Sequence, residues 1–159
     1  MSEFKEKQEI KKVELDKKDE RVLEILKENS KLTTGQISKK IAIPVTTVHN
    51  RIKKLEKLGV IKNYTLNLDF KKLGYDIIAF ILVSVTYNLP SGEKIKQEQV
   101  AQAIKKIGAE EVYIVTGGTD IIIKVRAKNI DDLNDFVIKK LRSIEGIDKT
   151  QTMIVLQEI

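Results

Sequence analysis

Residues 33–58 read TTGQISKKIAIPVTTVHNRIKKLEKL, a stretch that predicts a short capped helix, a tight turn and a longer basic helix. Thr33, followed three residues later by Gln36, forms a capping-box pattern that signals the start of a helix. Ile43 and Pro44 then force a turn, because proline lacks the backbone N–H that would continue the first helix. The order of these three parts predicts a helix-turn-helix.

The longer helix is predicted over residues 45–58, where apolar residues repeat at spacings of four and three and Gly59 suits a left-handed stop. Its opposite face is polar, and a recognition helix presents such a face to the major groove of DNA. The cations on this face are candidates for phosphate or guanine contacts, and the hydroxyl and amide groups are placed to reach bases or backbone. The candidate DNA-binding residues are Thr46, Thr47, His49, Asn50, Arg51, Lys53 and Lys54.

Positive charge is concentrated around this motif. Residues 29–64 contain eight Lys or Arg and one acid, Glu56, which gives a local balance of +7 in a chain whose net charge is +6. A small helical bundle with solubilising lysines is the alternative interpretation, but a solvated face normally mixes both signs. The concentration favours double-stranded DNA as the partner, because each cation brought to the phosphates releases condensed counterions.

The flanking segments complete the first domain, which we predict over residues 15–62. Asp16 is a candidate N-cap for a first helix within LDKKDERVLEIL. Before it, residues 1–14 alternate in charge and predict a charged, frayed N-terminal extension. After the motif, apolar and polar residues alternate over 64–70, and this period of two predicts a linker strand within residues 63–74. The first domain is therefore predicted to be a winged or strand-linked helix-turn-helix.

A second domain, predicted over residues 75–159, reads as strand, helix, strand, strand, helix, strand. This βαββαβ order is typical of a ferredoxin-like sandwich, so the fold class predicted for the whole chain is α+β. The strands are predicted at 75–87, 111–116, 119–127 and 149–156, the first helix buries Val100, Ala103, Ile104 and Ile107, and the second buries Leu133, Phe136, Val137, Leu141 and Ile144.

The strand sequences also bear on assembly. Consecutive residues are apolar over 77–83 and 153–156, which predicts that both faces of the sheet are buried. Two helices cover only one face. A second copy of the same sheet, packed face to face across a two-fold axis, is the simplest cover for the other, so we predict at least a homodimer.

The composition argues against several classes of site. The chain has no Cys, and its single His49 lacks the three or four convergent donors that a metal requires. It contains no phosphate-loop signature and no nucleophile elbow, so we expect no metal, no cofactor and no enzymatic activity. An apolar signal segment and a run long enough to cross a bilayer are both missing from the sequence, so we expect a cytoplasmic protein without a membrane partner.

A glycine-rich loop, residues 116–120, joins the predicted second and third strands. One interpretation is a hairpin turn, since adjacent glycines accept positive φ angles. The other is a ligand pocket, in which backbone N–H groups bind a carboxylate and Asp120 binds an ammonium group. Local chemistry leaves both open, and nearby threonines are either strand residues or pocket lining. The candidate ligand residues are Thr116, Gly117, Gly118, Thr119, Asp120, Thr150 and Thr152.

Four segments carry a resemblance that extends from residue 15 to the last residue. They are LDKKDERVLEIL at the first helix, VTTVHNRIKKLEKLGVIKNYT at the recognition helix, VYIVTGGTDIIIKV at the hairpin and IEGIDKTQTMIVL at the end. In this order and spacing they resemble the Lrp/AsnC family, the feast/famine transcription regulators. The chain departs from many members at Ile43 and Pro44, where those members carry a Ser at the start of the recognition helix.

The resemblance implies a helix-turn-helix joined to an αβ sandwich, with dimers formed through the sheets and assembled further into tetramers or octamers. It also implies binding to promoter DNA as a dimer, in response to an amino-acid effector held between dimers near residues 116–120. This favours the ligand interpretation of the loop. The abundance of Lys and Ile, with 33% charged residues, suits a thermophilic or AT-rich source, and an archaeal one is compatible with it.

The main hypothesis is a sequence-specific regulator that places one recognition helix per subunit in successive major grooves. One alternative is an architectural, chromatin-like protein that uses the same basic patch to coat DNA with little sequence preference. The other is an amino-acid-sensing module that acts through a protein partner, such as an enzyme or the basal transcription machinery.

Overall fold

The computed structural model describes residues 12–88 and 92–158, and the chain divides into two compact units between Asn67 and Leu68. Each unit has its own cluster of buried apolar residues. Most of the predicted N-terminal extension, residues 1–11, lies outside the described residues. Within the described ranges, no helix combines the length and the apolar character needed to cross a membrane.

Three helices form the first unit: α1 (Lys17–Glu28), α2 (Thr34–Ile41) and α3 (Val45–Lys57). Each helix turns an apolar stripe toward a shared core, as their periodicity predicts. The most buried apolar residues of this core are Val22, Ile37, Ile41, Val48 and Leu55.

Capping boxes start the first two helices. Asp16 accepts hydrogen bonds from the backbone N–H groups of Lys18 at 2.8 Å and Asp19 at 2.9 Å, and the Asp19 carboxylate accepts from the Asp16 N–H. At α2, Thr33 and Gln36 exchange the equivalent pair of bonds. These bonds satisfy N–H groups that a helix leaves unpaired at its first turn, and they confirm both predicted starting points.

The turn between α2 and α3 contains a strained residue. Ala42 ends α2 at φ 53°, and among the described residues it is the one non-glycine at positive φ. Ser38 closes the turn, because its hydroxyl donates to the Ile43 carbonyl at 2.5 Å and its own carbonyl accepts from the Ile43 N–H at 3.3 Å. Pro44 then precedes α3 without a side-chain cap, in accord with the predicted turn.

The predicted linker strand is wrong for a single chain. Residues 62–69 form neither a helix nor a strand, and a short 3₁₀ helix follows at Lys71–Leu73. Alternation of apolar and polar side chains sets which residues share a face, but a strand also needs a neighbouring backbone to bond. None of the described strands pairs with this segment. Three of its apolar side chains are therefore exposed: Tyr64, Leu66 and Leu68.

The second unit is a four-stranded antiparallel sheet with strand order β2-β3-β1-β4. This order and the βαββαβ connectivity confirm the predicted ferredoxin-like fold. The last helix, α5, begins as an α-helix at Ile130–Asp135 and continues as a π-helical segment at Phe136–Leu141. The other elements are β1 (Ile77–Val85), α4 (Gln97–Lys106), β2 (Glu111–Ile114), β3 (Ile121–Ala127) and β4 (Ile147–Ile154).

Strand boundaries differ from prediction by a few residues. Strand β4 begins at Ile147, two residues before the predicted start, and its register against β1 shifts between Ser84 and Val85. A bulge of this kind adds a residue to one strand without any apolar or turn signal in the sequence. The loop between β2 and β3 is also longer than predicted, since pairing ends at Ile114 and Ile121.

One face of the sheet carries the core of the second unit. Alternate residues of β1 and β3, from Ala79 to Val85 and from Ile121 to Ala127, are buried with apolar residues of α4 and α5. The opposite face is only partly buried. It carries Phe80, Leu82 and Ile122 beside the exposed Tyr113 and Met153.

Candidate nucleic-acid interface

Helix α3 presents most of its predicted DNA-binding side chains to solvent. Val48 and Leu55 are fully buried and fix the inner face of the helix. On the outer face, Lys53 is exposed and makes no ion pair with the described residues. The candidates Thr46, His49, Asn50, Lys53 and Lys54 are exposed, whereas Thr47 and Arg51 are partly buried.

Arg51 points to the start of α1 instead. Its Nη1 atom lies 2.6 Å from a carboxylate oxygen of Asp16 and 2.6 Å from Oδ1 of Asp19. Lys54, one turn along α3, places Nζ 2.7 Å from the other oxygen of Asp19. The Arg51 side chain is 20% exposed and that of Lys54 is 46% exposed. The structure therefore gives Arg51 partners inside its own domain, which differs from its predicted role as a phosphate or guanine contact.

These ion pairs change the acidity of both carboxyl groups. Hydrogen bonding from Arg51, with a further contribution from the Asp19 backbone N–H, lowers the pKa of Asp16 to about 2. Burial raises the pKa of Asp19, but hydrogen bonds from Lys54 and Arg51 outweigh it, so its net pKa is lowered. Asp16 in turn raises the pKa of Arg51. Both acids are therefore charged at neutral pH and neutralise part of the positive charge on α3.

Sequence analysis identified Asp16 only as a helix cap and did not anticipate this network. Asp19 follows Asp16 by three residues, a spacing that signals a capping box but not a partner on another helix. Five further cations of the basic segment stay exposed and without ion pairs among the described residues: Lys31, Lys39, Lys40, Lys57 and Lys62.

In the second unit, residues 116–120 lie in the loop of a hairpin between β2 and β3. The Val115 N–H donates to the Asp120 carbonyl at 2.9 Å, and the loop between them contains Gly117 at φ 127°. The backbone N–H groups of residues 116–119 make no hydrogen bond with the described residues. Exposed, unpaired N–H groups in one turn are what a bound carboxylate would require, so the hairpin is compatible with a ligand site.

Asp120 joins the hairpin to the connection between β1 and α4. One carboxylate oxygen accepts from the Val85 N–H at 2.8 Å, and the other accepts from the Tyr87 hydroxyl at 2.7 Å and from Nε2 of Gln97 at 2.8 Å. The Val85 N–H, followed by Tyr87 and Gln97, lowers the pKa of Asp120, and Asp120 raises the pKa of Tyr87. Sequence analysis missed Tyr87 and Gln97, because neither belongs to a motif.

One predicted ligand residue of β4, Thr150, lies at the same end of the sheet as the loop. Val83 of β1 pairs with Thr150, and its carbonyl accepts hydrogen bonds from Thr119 and Asp120. Arg142, which sequence analysis did not single out, donates from Nε to the Thr150 hydroxyl at 3.3 Å. Arg142 and Thr150 line a surface pocket of about 500 Å³ together with Ile147, Asp148 and Lys149. Thr152 lies two residues farther along the strand and is exposed.

Metal binding has no candidate in the part of the chain that the structure describes, since no three His, Cys, Asp or Glu side chains come together there. His49 is an exposed residue of α3. The geometry provides a basic helical surface in the first unit and a hairpin with unpaired N–H groups in the second.

Two family models match the sequence. One is described as the Lrp/AsnC ligand binding domain and matches residues 78–159. The other is described as a winged helix-turn-helix DNA-binding domain and matches residues 15–62. Together they span both units of the chain.

Relatives of nearly the same length are similar to most of the chain. An uncharacterised HTH-type transcriptional regulator of Pyrococcus abyssi is 45% identical over 141 residues, which cover 88% of this chain and 91% of the relative. HTH-type transcriptional regulator FL11 of Pyrococcus furiosus is 39% identical over 143 residues, which cover 90% of each. Both relatives are archaeal.

Solved structures share the fold. A transcriptional regulator of Neisseria meningitidis, solved in complex with L-Met, has a TM-score of 0.83 at 29% identity and 92% coverage of both chains. AsnC of Escherichia coli has a TM-score of 0.77 at 29% identity, with 92% of this chain and 95% of that one covered.

Proposed function

The chain belongs to the Lrp/AsnC family of transcription regulators, and we propose that it binds promoter DNA as a dimer, with one α3 helix per subunit in successive major grooves. The observation that carries this proposal is the exposed polar face of α3, set in a segment with eight cations and one acid. Lys53 is the phosphate contact that the geometry supports best, and Asn50 and Thr46 are the candidates for base contacts.

Dimerisation through the sheet is the second part of the proposal. The face opposite the helices carries apolar side chains that the described residues cover only in part, including the half-buried Phe80 and Leu82 and the exposed Met153. A second copy would cover it with the same residues across a two-fold axis. Sedimentation at micromolar concentration tests this: a dimer or larger species is expected, and a sole 18.1 kDa species would contradict it.

The third part is an amino-acid effector. The N. meningitidis regulator was solved with L-Met, and this chain shares its fold across both units. We assign the effector carboxylate to the unpaired N–H groups of residues 116–119. Asp120 already accepts three hydrogen bonds, which leaves about one lone-pair site for the effector ammonium group. Thr150 and Thr152 remain candidates for contacts with the part of the ligand that lies farther from this loop.

Further assignments follow from regulation of transcription. We propose that the protein works in the cytoplasm, where the DNA of an archaeal cell lies. We assign it no enzymatic activity, no metal and no cofactor, since the relatives are transcription regulators. Contacts with the basal transcription machinery and assembly into tetramers or octamers belong to the same proposal.

Selection of binding sites from a random duplex pool at about 150 mM salt, where long-range charge interactions are screened, tests the central claim. An enriched imperfect palindrome is expected, and its half-site spacing measures the separation of the two α3 helices. Retention without enrichment would favour an architectural protein instead. Failure to retain any duplex would leave a sensing module that acts through a protein partner.

A further inference from the structure

Asp19 is a buried acid in the first turn of α1. The proposed function places α3, and not α1, in the major groove. The Asp19 side chain is fully buried, and no other charged side chain among the described residues is buried to this degree. A carboxylate removed from water is costly unless cations and hydrogen-bond donors surround it. Arg51 at 2.6 Å and Lys54 at 2.7 Å supply both. These partners come from α3, the helix that carries the candidate base contacts.

The spacing of the two partners constrains α3. Arg51 and Lys54 are three residues apart and therefore lie one above the other on one side of the helix. Both reach the same carboxylate, and Arg51 also reaches Asp16. Two contacts on successive turns oppose rotation of α3 about its own axis. They add directional hydrogen bonds to the burial of Val48 and Leu55, whose hydrophobic driving force has no direction.

We propose that Asp19 is a positioning residue for DNA recognition, which sets the rotation of α3 through Arg51 and Lys54 and so directs Asn50 and Lys53 toward the groove. This inference rests on the proposed function. The inference assigns different roles to three cations of α3. Arg51 holds the helix and Lys53 contacts the phosphates, while Lys54 is exposed enough to do both.

Electrostatics and positioning predict different results for the substitution Asp19→Asn. Asp19→Asn removes a negative charge from a DNA-binding domain, so electrostatics alone predicts equal or tighter binding to every duplex. Loss of positioning predicts poorer discrimination between sequences. Glu24→Gln is the matched control, because Glu24 lies on α1, is exposed, has no partner among the described residues and undergoes the same charge change.

The experiment measures the affinity of each full-length variant at fixed salt for the duplex that the parent enriches and for an unrelated duplex. For Asp19→Asn we expect the ratio of the two affinities to fall on the order of tenfold, while affinity for the unrelated duplex stays equal or rises. For Glu24→Gln the ratio should not change. A folded Asp19→Asn protein with the parental ratio would overturn the inference.

The thermal transition of Asp19→Asn shows whether this variant folds. If it does not, a second variant tests the positioning role. Arg51→Lys keeps the charge and leaves Asp19 its bond to Lys54, but a lysine lacks the guanidinium that spans Asp16 and Asp19. Repeated site selection should then show weakened preference across the whole half-site. Weakened preference at a single base pair, or equal weakening on both duplexes, would assign Arg51 a direct contact and overturn the inference.

The two proposals fail in different ways. A parent protein that enriches no sequence would contradict sequence-specific regulation, the function on which the inference rests. A parent that enriches a palindrome, with parental ratios in Asp19→Asn and in Arg51→Lys, would contradict the positioning role alone.

Discussion

The carboxylate of Asp19 on α1 lies 2.6 Å from Nη1 of Arg51 on α3, with the aspartate fully buried and the arginine one-fifth exposed. The recognition helix is thereby tied to the first turn of α1 by directional bonds as well as by apolar packing. The same guanidinium reaches Asp16, the residue that caps α1. The same ion pairs lower the pKa of Asp16 and Asp19, involve the cap of α1 and hold α3 against α1.

The low pKa of Asp16 predicts an acid-sensitive step in stability. Its pKa in the folded protein is about 2, against 3.8 for an unperturbed group, so the unfolded state binds protons more readily. The stabilisation is fully present above pH 3.8 and is lost as the pH falls through about 2. We expect urea midpoints of the parent and of Asp16→Asn to converge across this window, because asparagine still caps the helix but carries no charge.

Glu24→Gln serves as the control for this comparison, since Glu24 is an exposed acid of α1 without an ion pair among the described residues. The difference between its midpoint and that of the parent should not follow the same window. A constant difference between Asp16→Asn and the parent from pH 5 to pH 2 would show that the Arg51 pair does not contribute.

Lys53 should act as a simple phosphate contact. It is exposed on α3 and has no ion pair in the described chain, so its charge is available to DNA. Lys53→Ala is expected to reduce the slope of log affinity against log salt by about 0.9 for each subunit, which is about 1.8 for the proposed dimer, and to weaken binding to all duplexes alike. Titrations at several salt concentrations measure the slope, with Lys128→Ala in the second unit as the control. An unchanged slope for Lys53→Ala would remove this residue from the interface.

The features that sequence analysis predicted correctly depend on neighbours along the chain. The N-cap at Asp16 and the capping box at Thr33 place every participant within three residues, so their spacing is visible in the sequence. The strands of the second unit follow from apolar runs, and their antiparallel order follows from the ferredoxin-like connectivity.

The features that it missed depend on residues far apart in the chain. Asp19 and Arg51 are separated by 32 positions, and Asp120 and Tyr87 by 33, so no local spacing encodes either pair. The alternation at 64–70 predicted which side chains share a face but could not supply a strand to pair with. The sequence therefore identified which surface carries the candidate contacts more reliably than it identified the role of each cation.

Ala42 predicts a stabilising substitution. It holds φ 53°, a left-handed conformation that costs an L-residue about 1 kcal/mol or more and that glycine adopts freely. Ala42→Gly should raise the free energy of unfolding by about 0.5 kcal/mol, because relief of strain exceeds the added entropy of the unfolded chain. Chemical denaturation measures this. Ala103→Gly, inside α4, is the control and should destabilise by about 1 kcal/mol. A destabilised Ala42→Gly would show that this turn is not strained.

The effector proposal predicts that an amino acid stabilises the second unit. Thermal midpoints of the parent, measured with each of the twenty amino acids, should rise for at least one of them, by the equivalent of about 2.7 kcal/mol at a concentration of 100 Kd. Asp120→Asn is expected to abolish that rise, because it removes the negative charge proposed to bind the ligand ammonium group.

Tyr87→Phe separates this role from the structural one. It removes the hydroxyl that donates to Asp120 and should lower stability by about 1 kcal/mol, but it leaves residues 116–119 and the carboxylate in place, so the ligand-induced rise should persist. Asp131→Asn, at an exposed acid in the first turn of α5, controls for the loss of charge. A full rise in the thermal midpoint of Asp120→Asn would contradict the role of Asp120 and leave ligand binding to the backbone N–H groups alone. No rise in the parent with any amino acid would leave residues 116–120 as a hairpin turn.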